Sequence, residues 1–259
     1  MSYLILKLKK KLKFRLNLDL LTPNKIIDKK IAAIKSLKIS YGNEKKEISN
    51  FFSISGILKK GIIFKGDLNR CDYIGDQMKN GKIIVNGNVG DYLGNKMNGG
   101  KIVVNGSSAN YTASSFKNGE ILITKNTGDF LGSSIQGEKL GMSGGVVIIQ
   151  GNAGHRAGFK MRSGVIYVKG NAKDFIGCQM IAGTIIIGGK IGLNIGLLMK
   201  RGTIILKKQK LINFSKIWFF HDHIYKTNQR PDREFLKLIE EKAIKIANEN
   251  KKKKFLYIK

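Results

Sequence analysis

The sequence predicts an all-β protein: a right-handed parallel β-helix of 19-residue coils, with a short N-terminal strand and helix as one cap and a C-terminal helix. Three observations predict this fold. Glycines recur every 19 residues, Ile and Val take alternate positions between them, and further glycine and apolar columns keep the same period. A coil of this length cannot bury its own apolar face. The coils must therefore stack, with each strand pairing with the next about 4.8 Å away.

The glycine that opens each coil sets the period. These glycines are Gly81, Gly100, Gly119, Gly145, Gly164, Gly183 and Gly202. Every step is 19 residues except the one after Gly119, which holds seven additional residues that we place at 138–144. Two residues on stand Ile83, Ile102, Ile121, Val147, Ile166, Ile185 and Ile204, and four residues on stand Val85, Val104, Ile123, Ile149, Val168, Ile187 and Leu206. Side chains two apart on a strand point the same way, so both columns are predicted to fill the core.

Two further columns describe the rest of each coil. Thirteen residues after the opening glycine stand Gly94, Gly132, Gly158, Gly177 and Gly196, with Ala113 as the exception. This column predicts a tight corner with positive φ. Three residues later stand Met97, Phe116, Ile135, Met161, Met180 and Met199, which predict a second apolar column. A leucine-rich horseshoe is disfavoured because we identify neither the asparagine ladder nor the helical segment of that repeat.

The repeat divides the chain into three parts. Residues 1–50 are predicted to form the N-terminal cap, with a strand over 12–20 and a helix over 24–37 that starts at Thr22-Pro23. Residues 51–207 form the β-helix. Residues 208–259 form a basic tail in which Phe235 and Leu238 begin a helical pattern.

The formal net charge of +29 is compatible with a polyanionic partner. However, only seven of the 47 basic residues are Arg, the side chain preferred for bidentate phosphate contacts, so biased genome composition explains the excess equally well. Cys71 and Cys178 form no CxxC motif and are predicted to be reduced thiols near the core. With no secretory signal and no apolar run of about 20 residues, a cytoplasmic protein without a membrane partner is expected.

Candidate contact residues gather where the repeat is irregular. His155-Arg156 follows the insertion that contains Glu138 and Lys139, and a loop that interrupts a regular scaffold often carries contacts, so these four residues are candidate partner contacts. No nucleophile or carboxylate stands at a catalytic spacing to His155, so no catalytic residue is assigned. No metal site is assigned either, because His221-Asp222-His223 lacks an identifiable third protein ligand.

Basic residues cluster at the boundary between successive coils. They are Lys96, Lys101, Lys117, Lys160, Arg162, Lys200 and Arg201. Stacking would align many of them into a stripe that suits an extended polyanion, either nucleic acid or a chain of carboxylates. A solvated lysine-rich face remains the alternative. The few aromatic residues near the stripe argue against a platform for single-stranded nucleic acid.

Several segments resemble the C subunit of formylmethanofuran dehydrogenase, and more closely its bacterial counterpart in the formyltransferase/hydrolase complex. They are Leu20-Leu21-Thr22-Pro23, GDLNRCDYIGDQMKNG, GNVGDYLGNKMNGGKIVVNG, GHRAGFKMRSG and AGTIIIGGKIGLNIGLLMKRGTI. The similarity covers residues 15–207. The same repeat occurs in the C-terminal domain of the glutamate synthase large subunit. The N-terminal segment and the insertion favour the dehydrogenase-type protein over the synthase.

The resemblance implies a hetero-oligomer of one-carbon metabolism, as in methylotrophy. Expected partners are an amidohydrolase, a formyltransferase and a subunit related to molybdopterin enzymes, which together transfer a formyl group to a methanofuran-type carrier and hydrolyse it to formate. This chain would be a non-catalytic scaffold. Because the carrier bears glutamate residues, Lys160, Arg162, Lys200 and Arg201 are candidate carrier contacts. A glutamate synthase β-helix component and a free nucleic-acid-binding β-helix are the alternatives.

Overall fold

The computed structural model of the protein describes residues 3–206 and confirms a right-handed parallel β-helix of about eight turns. The strands are β1 Tyr3–Leu8, β2 Leu16–Asn17, β3 Lys38–Tyr41, β4 Glu44–Glu47, β5 Phe52–Gly56, β6 Gly61–Lys65, β7 Cys71–Asp72, β8 Lys82–Asn86, β9 Asn98–Val104, β10 Asn118–Ile123, β11 Ser143–Ile149, β12 Ser163–Val168, β13 Thr184–Ile187 and β14 Thr203–Leu206. Ten of them form one sheet in the order β14-β13-β12-β11-β10-β9-β8-β6-β1-β5. Its strands are parallel except β5, which pairs antiparallel with β1.

The sheet keeps equivalent coil positions in register. Ile83 pairs with Ile102, and Ile166 pairs with Ile185, so each column predicted from the 19-residue period runs straight up the stack. From Ile62 to Ile185 the side chains of the first column are at most 1% exposed. Burial of successive Ile and Val side chains on one strand face is what the alternating pattern requires. Both predicted core columns are confirmed as far as Ile187, and in the last coil Ile204 and Leu206 are half-buried against the core.

The second apolar column departs from the prediction at one coil. Met142, not Ile135, fills it: Met142 is fully buried, whereas Ile135 is half-buried. The Met142 N–H donates to the Gly132 carbonyl at 2.9 Å, as the Met97 N–H donates to the Gly94 carbonyl at 3.3 Å. The additional residues are therefore 135–141, and the placement at 138–144 was wrong. A count from the opening glycine cannot detect this, because it locates the insertion only to within one coil.

The N-terminal segment is more broken than predicted. A single helix over 24–37 is wrong: α1 spans Pro23–Ile26 and α2 spans Ile31–Lys35, and Lys30 between them is extended with ψ 152°. Ile27, the C-cap residue of α1, is 60% exposed. Thr22 is the N-cap and Pro23 opens the helix as expected, although the Thr22 hydroxyl is buried without a partner among the described residues.

Of the strand predicted over residues 12–20, the structure contains only β2. Leu16 and Leu18 are fully buried, but Phe14 is 59% exposed, so the alternation does not continue along the segment. A second sheet has the order β4-β3-β2-β7, and β1 lies between β5 and β6 in the main sheet. The predicted C-terminal helix and the His221–His223 segment fall outside the described residues.

Candidate interaction site at a corner of the coils

One corner of the β-helix carries a ladder of side-chain oxygens, which we call the outer Asx ladder. At each step the backbone N–H of one coil donates to the Asp or Asn Oδ1 of the coil before it. The steps are Asp91 to Asp72 at 2.9 Å, Asn110 to Asp91 at 2.9 Å, Asp129 to Asn110 at 2.8 Å, His155 to Asp129 at 2.7 Å and Leu193 to Asp174 at 2.8 Å. At these five steps a corner peptide N–H that no strand pairs is bonded in this way.

A second ladder runs three positions earlier in each coil. Asn152 donates its backbone N–H to Asn126 at 2.8 Å, and Asn171 donates to Asn152 at 2.7 Å. The β-helix therefore has an asparagine ladder of its own, which we did not identify from the sequence, although it is not the ladder of a leucine-rich horseshoe. The recurrence of Asn and Asp at the coil spacing indicates both ladders in the sequence. The apolar and glycine columns do not reveal them.

Aromatic rings stack beside the outer Asx ladder. Tyr73 and Tyr92 have ring centroids 4.7 Å apart, Tyr92 and Tyr111 4.9 Å, and Tyr111 and Phe130 4.7 Å, with interplanar angles of 10° or less. All four residues have positive φ, between 59° and 62°. Stacked aromatic pairs stabilise a protein by about 0.5–1.5 kcal/mol beyond area burial, which offsets part of the backbone strain.

The first end of this corner is closed by Arg15. Its guanidinium donates to both carboxylate oxygens of Asp72, at 2.5 and 2.6 Å, and to Asp91 at 2.5 Å. The hydrogen bond to Asp72 is the largest cause of the raised pKa of Arg15. Charge-assisted bidentate pairs of this type are the stronger ones in proteins. Arg15 therefore ties the N-terminal segment to the first coils.

His155 and Arg156 interrupt both columns at the same coil. Arg156 takes the ring position, and its Cζ lies 5.5 Å from the ring centroids of both Phe130 and Phe175. His155 takes the Asx position, and its Nδ1 lies 3.4 Å from Asp174 Oδ2. The predicted contact pair thus stands where a regular corner becomes irregular.

A shallow groove of about 430 Å³ opens beside His155, and we call it the His155 groove. Its lining includes His155, Asn171, Lys173, Asp174, Lys190 and Gly192. Both lysines are exposed. Lys173 occupies a position that is glycine in the neighbouring coils, at Gly154 and Gly192.

The predicted stripe of basic residues is partly neutralised. Lys96 Nζ lies 2.7 Å from Glu138 Oε1, and Lys101 Nζ lies 3.5 Å from Glu120 Oε2. Arg162, Lys200 and Arg201 are exposed, and Lys160 packs over the Phe159 ring at 5.2 Å. Within residues 3–206 these last four cations, the candidate carrier contacts, have no ion-pair partner.

The insertion is fastened to the coil below it. Glu138 accepts a hydrogen bond from the Ser115 hydroxyl and pairs with Lys96, whereas Lys139 is exposed. Burial would raise the pKa of Glu138, but the hydrogen bonds from Lys96 and Ser115 outweigh it and lower this pKa. Glu138 therefore holds the insertion in place, and Lys139 is the one of the two that faces outward.

The two cysteines are buried, and the described residues contain no cluster of metal ligands. Cys71 and Cys178 are free and buried, as predicted, and burial raises the pKa of both thiols. In residues 3–206 no three His, Cys, Asp or Glu side chains are grouped to hold a metal ion. No helix in that part of the chain is long and apolar enough to span a bilayer.

Comparison with solved structures gives a match over nearly the whole chain. A chain in the crystal structure of the formyltransferase/hydrolase complex from Methylorubrum extorquens, in complex with methylofuran, superposes with a TM-score of 0.77 and 27% sequence identity. The match covers 94% of this chain and 88% of that one. The likeness therefore includes the N-terminal segment and is not confined to the repeat.

Comparison with characterised proteins gives shorter matches. The C subunit of the molybdenum-containing formylmethanofuran dehydrogenase 1 of Methanothermobacter marburgensis is 38% identical over 77 residues, which are 29% of this chain and 19% of the relative. The C subunit of the tungsten-containing enzyme 2 of the same organism is 38% identical over 94 residues, 34% of this chain and 35% of the relative. The matches thus span about a fifth to a third of the relatives' length. Because residues 49–257 also match the model of the GXGXG motif, the chain belongs to the GXGXG motif family and, within it, is similar to the C subunit of formylmethanofuran dehydrogenases and to a chain of the formyltransferase/hydrolase complex.

Proposed function

We propose that this chain is the C subunit of a formyltransferase/hydrolase complex and acts there as a scaffold without catalytic residues of its own. The superposition that covers 94% of the chain carries the proposal, because a shared repeat alone would not extend through the N-terminal segment. The matched relatives are C subunits of formylmethanofuran dehydrogenases, which supports the same assignment. Its partners would be an amidohydrolase, a formyltransferase and a molybdopterin-enzyme-like protein, which carry out formyl transfer and hydrolysis to formate in the cytoplasm.

The corner at His155 and the insertion would supply partner contacts. A stacked β-helix is rigid along its axis because every coil is bonded to the next, so exposed residues at fixed coil positions have fixed spacings. His155, Arg156 and Lys139 are presented in this way, and Glu138 contributes by holding the insertion in place. Rigid presentation lowers the entropy lost on binding, which suits a scaffold.

The stripe would retain a glutamylated, methanofuran-type carrier. Lys160, Arg162, Lys200 and Arg201 offer four positive charges at the coil boundaries without a carboxylate beside them in the described residues. Arg162 and Lys200 occupy the same coil position two coils apart, which is about 10 Å at the spacing of paired strands. An extended chain of carboxylates can bridge such a distance.

A native affinity purification tests the assignment. The tagged full chain is isolated from its own cells, and co-purifying proteins and tightly held small molecules are identified by mass spectrometry. Recovery of an amidohydrolase, a formyltransferase and a glutamylated furan carrier is expected. Recovery of glutamate synthase components, or of nucleic acid alone, would overturn the proposal.

A quadruple variant tests the carrier contacts. Replacing Lys160, Arg162, Lys200 and Arg201 with Gln should lower the amount of carrier retained, and added salt should reduce retention by the natural protein in the same way. The matched control replaces four exposed lysines elsewhere, Lys35, Lys45, Lys59 and Lys60, with Gln. Equal retention by the two variants would remove the stripe from the proposal while leaving the scaffold intact.

A further inference from the structure

The outer Asx ladder lacks one step. In five steps a corner N–H donates to a side-chain oxygen of the preceding coil, but the N–H of Asp174 stands above His155, which has no carboxylate or amide oxygen. The imidazole instead lies beside Asp174 Oδ2 at 3.4 Å. Within residues 3–206 the Asp174 N–H has no acceptor. An unused backbone donor therefore stands at the edge of the His155 groove.

The surroundings of this donor favour an anion. Lys173 and Lys190 line the groove and are exposed, whereas its single carboxylate, on Asp174, already accepts from the Leu193 N–H at 2.8 Å and faces His155. Two exposed cations that line the same groove as a residue with a free peptide N–H form an arrangement that suits a carboxylate oxygen.

Other coils show whether an oxygen fits beside the Asp174 N–H when the preceding residue carries a side chain. A Cβ built on Gly154 would meet Asp129 Oδ1 at 2.1 Å, and Lys173 follows Gly154 in this column. Ala109 shows that a side chain here is compatible with a filled step, because the Asn110 N–H beside it donates to Asp91 Oδ1 at 2.9 Å. The Lys173 Cβ therefore does not exclude an oxygen from the Asp174 N–H.

We propose that the His155 groove binds a carboxylate side chain from an acidic segment of a partner polypeptide, which supplies the missing step of the ladder in trans. One carboxylate oxygen accepts from the Asp174 N–H, and Lys173 and Lys190 pair with the charge. The assignment rests on the proposed role of His155 as a partner contact and names the chemistry of that contact. It does not depend on which complex contains the chain.

Backbone amide chemical shifts of the full chain measure this binding directly. An oligo-aspartate peptide is titrated into ¹⁵N-labelled protein, alongside an oligo-asparagine peptide of equal length and acetate. The Asp174 amide should shift and saturate with oligo-aspartate and stay unchanged with oligo-asparagine. A shift produced equally well by acetate would mean that the groove takes small free carboxylates, and would overturn the partner assignment.

The decisive variant is His155→Asn, which restores the side-chain oxygen found in the other coils and removes no lysine. It should lower the affinity for oligo-aspartate at least about tenfold, the effect of one charge-assisted hydrogen bond. Lys173→Gln and Lys190→Gln should each weaken binding, whereas Lys125→Gln, an exposed lysine outside the groove, should not. Full affinity in His155→Asn would refute the proposal, and this result is independent of which proteins co-purify with the chain.

Discussion

Two departures from the repeat, one inside the core and one at the surface, differ in how they are compensated. Ala113 replaces a corner glycine, yet it keeps the positive φ of that corner, at 56°, and is fully buried. By repeat equivalence its Cβ faces Val147, as the Cβ positions of Gly132 and Gly158 face the Cδ1 atoms of Ile166 and Ile185 at 2.5 and 2.3 Å. Valine lacks that methyl group, so the added Cβ is matched by a lost carbon.

The surface departure has no such match. His155 replaces an Asx residue, Lys173 replaces the neighbouring glycine, and the Asp174 N–H remains without an acceptor in the described residues. A close-packed interior enforces compensation, because an overlap of one methyl group costs about 1–3 kcal/mol, whereas water satisfies an open donor at the surface. Uncompensated departures are therefore the better guide to contacts.

The largest effect is expected from Gly158→Ala. The new Cβ would lie 2.3 Å from Ile185 Cδ1, and φ is +73°, so overlap and backbone strain together should lower the free energy of unfolding by about 3 kcal/mol. Urea unfolding measures the change. The double variant Gly158→Ala with Ile185→Val imitates the natural Ala113–Val147 pair and should be about 1 kcal/mol more stable than Gly158→Ala alone. Strict additivity of the two changes would show that the pairing is coincidental.

A smaller loss is expected from Val147→Ile. With Ala113 in place the added methyl group should destabilise the protein by about 1–2 kcal/mol. In the Ala113→Gly background the same change recreates the usual glycine–isoleucine pair, and its cost should disappear. The comparison needs unfolding curves of four proteins, and an equal cost in both backgrounds would contradict the proposed contact.

Glu138 predicts a weak acid dependence that is confined to the insertion. Because the folded-state pKa of Glu138 is lowered, its stabilisation is present above the unfolded pKa, about 4.3, and is lost as the pH falls through the folded value. Glu138 is about a third exposed, so the contribution is well under 1 kcal/mol. Glu138→Gln should increase hydrogen exchange in residues 135–141 at neutral pH and abolish their acid sensitivity. A uniform increase along the chain would argue against a local role.

The smallest effect on stability is expected from His155→Asn. One new hydrogen bond to the Asp174 N–H should stabilise the protein by about 0.5–1 kcal/mol, partly offset by loss of the exposed His155–Asp174 contact. Thermal unfolding detects a rise of this size. A clear decrease in thermal stability would show that His155 itself is needed for the structure of this corner.

The sequence predicted the core and the positive-φ glycine corner well and the polar corner poorly, for a physical reason. Buried positions such as Ile83 and Ile102 repeat because volume and strand alternation restrict them. The predicted helix over 24–37 is interrupted at Lys30, whose backbone is extended, and Ile27 at the end of α1 is 60% exposed although it lies in the apolar pattern. The His155 groove depends on which residue precedes Asp174 in space, 19 positions earlier in the chain, and this relation is visible only when polar columns are aligned as carefully as apolar ones.

The insertion at 135–141 leaves the pairing of the two flanking coils unchanged. On either side of it β10 and β11 remain paired residue for residue, with Ile121 opposite Val147, although 26 residues separate them instead of 19. The pairing of the sheet therefore tolerates a change in the number of residues per coil. At the corner near Ser134 the chain can be lengthened without displacing the core columns of later coils. A segment of different length or charge grafted there would be displayed at an unchanged height along the rod, so new recognition can be added without redesign of the protein that carries it.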